Sequence, residues 1–330
     1  MNLTHKGKMS KLTIGIDIGG TKIAGGLVTR QGNVIRLLER PTNAAEGGKA
    51  VMERVAELIA ELVSSSSAGV EGIGVATGGQ INPETGVVFS ATPLLPGWVG
   101  MPIKGILEGR FCLPVRVIND ASAAALGEWM FGAARGSRNF VLLTIGTGIG
   151  GGVFCDGKLV QGAMGAAGAI GHMVIDCDGR PCNCGSRGCL EAYASGTAMA
   201  NSALALAEER KLDTQLIRMI RSNHKMGAFF LAQSALAGDE FATEVIREAG
   251  EYLGWGFVSL LNLFNPELVV VGGSVAEMGD LLLQPAWEIA MRHSLRREKD
   301  PVRITKAQLG NNAGLLGAAS LIWDEKNANG

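Results

Sequence analysis

Four residues stand out for what their side chains could hold. His172, Cys182, Cys184 and Cys189 follow the spacing H-x9-C-x-C-x4-C. Three thiolates and one imidazole make a closed tetrahedral donor set for Zn²⁺, and Gly185 and Gly188 let so short a chain curl its sulfurs onto one ion. A closed set points to a structural metal, because no position stays open for a reacting water. Four unrelated residues are the plain alternative. A zinc-bound imidazole keeps one ring N–H, so His172 can also orient a neighbouring ligand. Cys112, Cys155 and Cys177 read as ordinary reduced thiols, since the cysteines cluster at metal spacing and do not spread as a disulfide framework.

Three glycine-containing segments and one Asn-Asp pair offer a second kind of chemistry. In DIGGTK (17–22), Gly19 and Gly20 let the backbone approach an anion, Thr21 offers a hydroxyl and Lys22 a charge. Asp17 is suited to hold a hydrated Mg²⁺. The GxxxxGK[ST] spacing of a Walker loop is absent, and an Asp-capped turn is the competing reading. GTGIGGG (146–152) meets the G-x-G-x-x-G pattern by letters at Gly146, Gly148 and Gly151, but VFCDGKLV after it reads as a strand and turn. A dinucleotide site needs a helix there, so the segment reads as a glycine hairpin presenting N–H groups to a phosphate, or as a structural turn. Gly272-Gly273 follow an apolar run and open a helix start. Asp120 reads either as an N-cap or as a general base that takes a proton from a substrate hydroxyl, with Asn119 beside it.

These residues need rigid elements behind them. LTIGIDI and IAGGLV flank the first glycine turn as two strands of a hairpin, and 139–160 repeats the strand, glycine turn, strand pattern. That echo implies two related halves. Apolar residues at 51, 52, 55, 58, 59 and 62, opposite Glu53, Glu57 and Glu61, predict an amphipathic helix ended by the serine run 64–67. VEGIGVAT and LPVRVI read as strands, ASAAALGEWM as a helix, 196–264 as mostly helical, and LLGAASLIW as a closing helix. The 330 residues are 47% hydrophobic and carry 30 Lys plus Arg against 31 Asp plus Glu, for a net charge of −1. That balance supports a sizeable core, about two domains, and no global basic field for nucleic acid or anionic lipid. The 48 glycines are about twice the usual share, without a collagen period. No apolar run has membrane-spanning length and the first residues lack a signal-peptide h-region, so a soluble cytoplasmic protein is expected.

Taken together, DIGGTK, the Asn-Asp of VINDASAAALGE, TIGTGIGGG, GHM followed by CNCGSRGCLE, NPELVVVGGSV and NNAGLLGAA resemble the ROK family of sugar kinases and sugar-responsive repressors, over residues 12 to about 323. The resemblance implies an α/β, actin-like ATPase (ribonuclease H-like) fold of two lobes with an interlobe cleft. A small lobe would span 12–121 plus a C-terminal helix at about 314–330, and a large lobe 122–313 would contain the zinc loop 172–191. Residues 1–11 would be a disordered extension. It further implies that Asp120 is the catalytic base, that Asn119, His172 and Glu191 hold sugar hydroxyls with Gly78 and Gly79 lining that site, and that Asp17, Gly19, Gly20, Thr21, Lys22, Thr147 and Gly148 serve the phosphates and Mg²⁺. Gly272, Gly273 and Asn312 to Gly314 would lie near the adenosine. The implied activity is ATP-dependent phosphorylation of the 6-hydroxyl of a hexose or N-acylhexosamine, glucose or N-acetylmannosamine foremost, by a homodimer. The alternatives are a sugar-binding protein without catalysis and a sugar-responsive regulator. For the regulator, the 11 residues before the first strand leave little room for a helix-turn-helix.

Two positions depart from the family pattern. Ala169 stands where a Glu two residues before Gly171-His172 is usual, and Leu94 stands where a PNL triplet supplies an Asn. Each missing hydrogen bond costs about 1 to 3 kcal/mol for a substrate hydroxyl left unpaired. Ala169 leaves room for an N-acyl group or an axial substituent, so the choice of sugar is the expectation most exposed to these changes.

Overall fold

The computed structural model describes residues 11–92, 95–295 and 302–323. The expectations for residues 1–10, for Leu94 and for residues 324–330 lie outside the described residues. The chain divides into two compact units, one formed by residues up to Phe131 with Gln161–Ala166 and the stretch from Asn312, the other by Gly132–Val160 and Ala167–Asn311.

The first unit is built on strands β1 (Leu12–Ile18), β2 (Lys22–Val28), β3 (Val34–Pro41), β4 (Val70–Thr77) and, after a small pair β5 (Gln80–Ile81) and β6 (Val88–Ser90), β7 (Val115–Asn119). They form one sheet in the order β3-β2-β1-β4-β7. The β1–β2 turn predicted from DIGGTK is an antiparallel hairpin that pairs Asp17 with Ala24, while β4 and β7 run parallel to β1. Helix α1 (Gly48–Ser65) buries Val51, Met52, Val55, Leu58, Ile59 and Leu62, the stripe predicted by the 3.6-residue period, and it stops within the serine run. Helices α2 (Ile103–Phe111) and α3 (Asp120–Phe131) follow, and the closing helix is Ala313–Ser320.

That closing helix explains part of the glycine excess. A Cβ on Gly15, Gly74, Gly127 or Gly317 would fall on the backbone oxygen of Leu315, Ala318, Ala313 or Ala123. Bare Cα atoms therefore let the helix lie directly on β1, β4 and α3, a close approach that any side chain would forbid.

The second unit repeats the plan. Strands β8 (Phe140–Ile145), β9 (Ile149–Cys155), β10 (Lys158–Leu159), β11 (Leu268–Gly272) and β12 (Arg303–Lys306) form a sheet in the order β10-β9-β8-β11-β12. Again a central strand has an antiparallel hairpin partner on one side and parallel strands on the other. The expected duplication is thus present in the topology. Between β10 and β11 lie α4 (Glu191–Ala194), α5 (Gly196–Glu209), α6 (Gln215–Ser222), α7 (Gly227–Leu236) and α8 (Glu240–Phe264), with α9 (Asp280–His293) before β12. The glycine pair of 272–273 leads into a 3-10 turn at Ser274–Met278 ahead of α9. Among the described residues no helix is long and apolar enough to cross a membrane.

Placement follows from topology. In each sheet the parallel strands end together, and Gly19, Gly78 and Asp120 follow β1, β4 and β7, as Gly146 and Gly273 follow β8 and β11. Loops at the carboxyl ends of parallel strands are where α/β sheets take ligands.

Candidate active site

In the first unit, two carboxylates share the strand ends. Asn119 caps α3, its Oδ1 accepting from the N–H groups of Ala121 (3.0 Å) and Ser122 (3.1 Å). Asn119 Nδ2 donates to the Gly79 carbonyl (3.1 Å) and to Asp120 Oδ1 (3.0 Å), and the Ala121 N–H also reaches that Oδ1 (2.8 Å). Asn119 therefore caps the helix, and Asp120 Oδ1 shares the Ala121 N–H with it. Among the described residues Asp120 Oδ2 accepts no hydrogen bond, and it lies 3.8 Å from where a Gly78 Cβ would stand. Burial pushes the Asp120 carboxyl above its usual range, with the Ala121 and Asn119 hydrogen bonds opposing. Gly79 has φ +103° and would meet Ser90 if substituted, so its glycine is a backbone requirement.

Asp17 is raised to about 7, first by burial and then by the charge of Asp120, with Lys22 pulling it down. The closing helix brings Gly314 so near that a Cβ there would stand 2.5 Å from Asp17 Oδ2. Two repelling carboxylates at one edge are a donor set that a hydrated divalent cation would satisfy. In the turn itself, Gly19 N–H donates to the Lys22 carbonyl (2.9 Å), and Thr42 latches the loop through its hydroxyl to Gly19 O (2.7 Å) and its N–H to Thr21 O (2.9 Å). Gly20 and Thr21 are exposed, and nothing stands within 4 Å of a Gly20 Cβ, so neither crowding nor a positive φ demands glycine there. Lys22 is exposed and paired with Glu39 at 2.6 Å. Thr42 carries no local sequence signal for this role, because β2 and β3 separate it from the turn.

In the second unit, Glu191 and the glycine hairpin turn out to be one feature. Glu191 Oε2 accepts from the Ile149 N–H at 2.8 Å, and it lies 2.3 Å from where a Gly148 Cβ would stand. Gly148 thus makes room for that carboxylate. Thr147 is exposed at the tip, and its carbonyl accepts from the Thr197 hydroxyl at 2.8 Å. Gly273, at φ +89°, packs against the Ile145 backbone, which sets the Gly272-Gly273 turn beside the same hairpin. A cavity of about 570 Å³ opens next to Thr147 and Glu191, walled by α5 and by Arg180, Cys182 and Asn183.

The four metal candidates come together. The donor atoms of His172, Cys182, Cys184 and Cys189 all lie within 4.8 Å of one another. Cys184 and Cys189 sulfurs are 3.7 Å apart, and Cys182 Sγ is 3.7 Å from His172 Nδ1. A tetrahedron with Zn–S bonds of about 2.3 Å has edges of about 3.8 Å, so the spacing fits zinc and is far too long for a disulfide. Burial, with the neighbouring Cys182 and Cys184, pushes the Cys189 thiol up to about 12, while the Ser186 N–H pulls Cys184 down. Three sulfurs so close need a cation to be thiolates together. Gly188 (φ +69°) lies against the Asp176 backbone, and Gly185 (φ +90°) turns the chain between the cysteines. Nδ1 faces the sulfurs, and among the described residues His172 Nε2 makes no hydrogen bond. Ala169, three residues earlier, is exposed.

This double arrangement agrees with the comparisons. The ROK family model matches residues 13–325. The chain belongs to the ROK family. A glucokinase of Halalkalibacterium halodurans is 38% identical over 319 residues, covering 96% of each chain. A ROK family glucokinase from Streptomyces griseus, solved in complex with glucose and AMPPNP, superposes with a TM-score of 0.79 at 34% identity, covering 94% of this chain and 98% of that one. A putative xylose repressor of Caldicellulosiruptor sp. is 32% identical over 314 residues, covering 94% of this chain and 78% of the repressor. The sequence resemblance and the α/β plan of two five-stranded sheets are therefore those of ROK proteins.

Proposed function

We propose that this ROK protein is a glucokinase, transferring the γ-phosphate of ATP to the 6-hydroxyl of glucose. The observation that carries the reading is Asp120, a half-buried carboxylate with one oxygen fixed by Asn119 and Ala121 and the other unengaged at the end of β7. Its raised proton affinity suits a base that takes the hydroxyl proton as the oxygen attacks phosphorus. Phosphoryl transfer otherwise asks for positioning and charge neutralisation. The Gly19–Thr21 turn and the Thr147–Gly148 tip offer backbone N–H groups to phosphate oxygens, and Lys22 adds a positive charge. Asp17 would hold the water shell of Mg²⁺, which neutralises charge on the transferring phosphate. Glu191 and the free Nε2 of His172 would hold sugar hydroxyls, while Asn119, expected beside them but bonded at all four of its positions to Gly79, Asp120, Ala121 and Ser122, would hold Asp120 in place. Zinc on His172 and the three cysteines would be structural, fixing the 172–191 loop that carries two of those ligands.

Glucose comes ahead of N-acetylmannosamine because the glucokinase relatives match at 38% and 34% identity, against 26% for a putative N-acetylmannosamine kinase from Listeria monocytogenes. Ala169 leaves one contact to the sugar unmade, so the expected glucose affinity is modest. ADP release coupled to a reporter reaction, measured over glucose, mannose, N-acetylglucosamine and N-acetylmannosamine, tests the proposal. Turnover should be fastest with glucose; preference for an N-acyl sugar would move the substrate assignment, and silence on every sugar would refute a kinase. The repressor relative favours a regulator as the second reading. Sequence-specific DNA retardation relieved by sugar would establish it.

A further inference from the structure

Arg180 is not among the residues that the proposed reaction uses, yet it joins more elements than any other side chain near the metal loop. Its guanidinium donates to Ser202 Oγ on α5 (2.8 Å) and to Glu248 on α8 (3.0 Å). The same group lies 4.6 Å from the ring centre of Tyr193 and 5.6 Å from that of Tyr252. The two ring centres lie 4.3 Å apart with their planes tilted by 41°. Its backbone N–H donates to Tyr193 Oη (2.8 Å), which in turn donates to Asp176 Oδ2 (2.9 Å). Cys182 follows Arg180 by two residues, and Tyr193 follows Glu191 by two in the one-turn helix α4. Arg180 also walls the cavity that Glu191 lines.

We infer that the Arg180–Tyr193–Tyr252 cluster is the link through which metal occupancy of the cysteine loop sets the position of Glu191, making Arg180 a positioning residue for sugar binding. The inference rests on the reading of Glu191 as a sugar ligand. Its physical basis is stiffness. A planar guanidinium held against two touching rings by two hydrogen-bond acceptors has one arrangement, whereas an ammonium would keep the charge near Glu248 and lose both the fork and the flat face. Movement of the loop when the metal leaves must therefore drag Tyr193, and the first turn of α4 with it.

The sequence supplies a selective probe, because Tyr193 and Tyr252 are the only two tyrosines of the chain. Fluorotyrosine-labelled full-length protein should show two fluorine resonances, both from this cluster. Removing zinc with a chelator should shift both in the unaltered protein, and in Arg180→Met should shift Tyr193 while leaving Tyr252 in place. Arg180→Met should keep its zinc by elemental analysis and raise the KM for glucose about tenfold with kcat nearly unchanged, the scale of losing a group that orients a ligand. Arg180→Lys should not rescue it, and that variant carries the test if Arg180→Met does not fold. Resonances that stay put as zinc leaves, loss of zinc from the variant, or an unchanged glucose KM in an active variant would each overturn the inference. If the protein phosphorylates no sugar, the proposed function fails, while the fluorine spectra still decide whether the metal loop and the tyrosines are coupled.

Discussion

Asp17 should make the protein less stable where it works. Its carboxyl ionises at about 7 in the folded chain, against 3.8 for an unperturbed Asp, because burial and Asp120 both disfavour the charge. The folded state therefore holds a proton that the unfolded state has released across the window from about pH 4 to about pH 7. Stability depends on pH through the difference in bound protons, unfolded minus folded, which is negative there, so it falls as pH rises. Each unit of pKa difference is worth about 1.4 kcal/mol, and the whole displacement comes to roughly 4 kcal/mol. Asp17→Asn replaces the protonated form with a neutral isostere and should abolish this loss. Urea unfolding of both proteins without nucleotide, at about pH 4 and about pH 8, reads the effect as a difference that cancels all other groups. The two should be nearly equal at the lower pH, with the variant the more stable by a few kcal/mol at the higher. MgADP should narrow that gap by stabilising only the unaltered protein. Parallel pH profiles for the two proteins would refute the reasoning, since they would mean that Asp17 ionises alike folded and unfolded.

Other consequences are open to direct measurement. Asp120→Asn keeps an oxygen for the Asn119 and Ala121 donors, so it should fold normally and bind glucose within a few-fold, but lose about 10² to 10⁴ in kcat; retained turnover would remove Asp120 as the base. Gly148→Ala would place a methyl 2.3 Å from Glu191 Oε2 and break its 2.8 Å bond to the Ile149 N–H. Loss of a charge-assisted bond worth about 1.5 to 3 kcal/mol should raise the glucose KM about 10- to 100-fold, and steady-state kinetics in glucose and ATP will show whether the sugar suffers more. Elemental analysis should find one zinc per chain, and Cys189→Ser, at the buried ligand, should lose it and expose the chain at Arg180 and Arg187 to trypsin. Full zinc retention by that variant would contradict the four-ligand site.

Much of this arrangement was legible because the relevant physics is local. A glycine turn between two apolar runs can only be a hairpin, and a helix that opens after Asn-Asp at a strand end puts that pair at the sheet edge. The duplication was visible for the same reason, since β1–β2 and β8–β9 repeat one pattern. What local reasoning could not supply was the second purpose of individual glycines. Gly148 is expected as a phosphate contact, and its missing Cβ also makes room for Glu191, which lies 43 positions further along the chain. Gly15, Gly74 and Gly317 serve the closing helix. No window of sequence contains both partners of such a contact. Asp120 shows the complementary case: spacing does not distinguish cap from base, and in the fold Asn119 caps α3 while Asp120 Oδ1 shares the Ala121 N–H. Gly20 is the informative remainder. It has no positive φ and no neighbour within reach of a Cβ, so the fold itself does not ask for glycine there. A residue without an internal reason to be small, at the exposed tip of a strand-end turn, points outward to something that must come close to the backbone, and a phosphate is what such N–H groups suit.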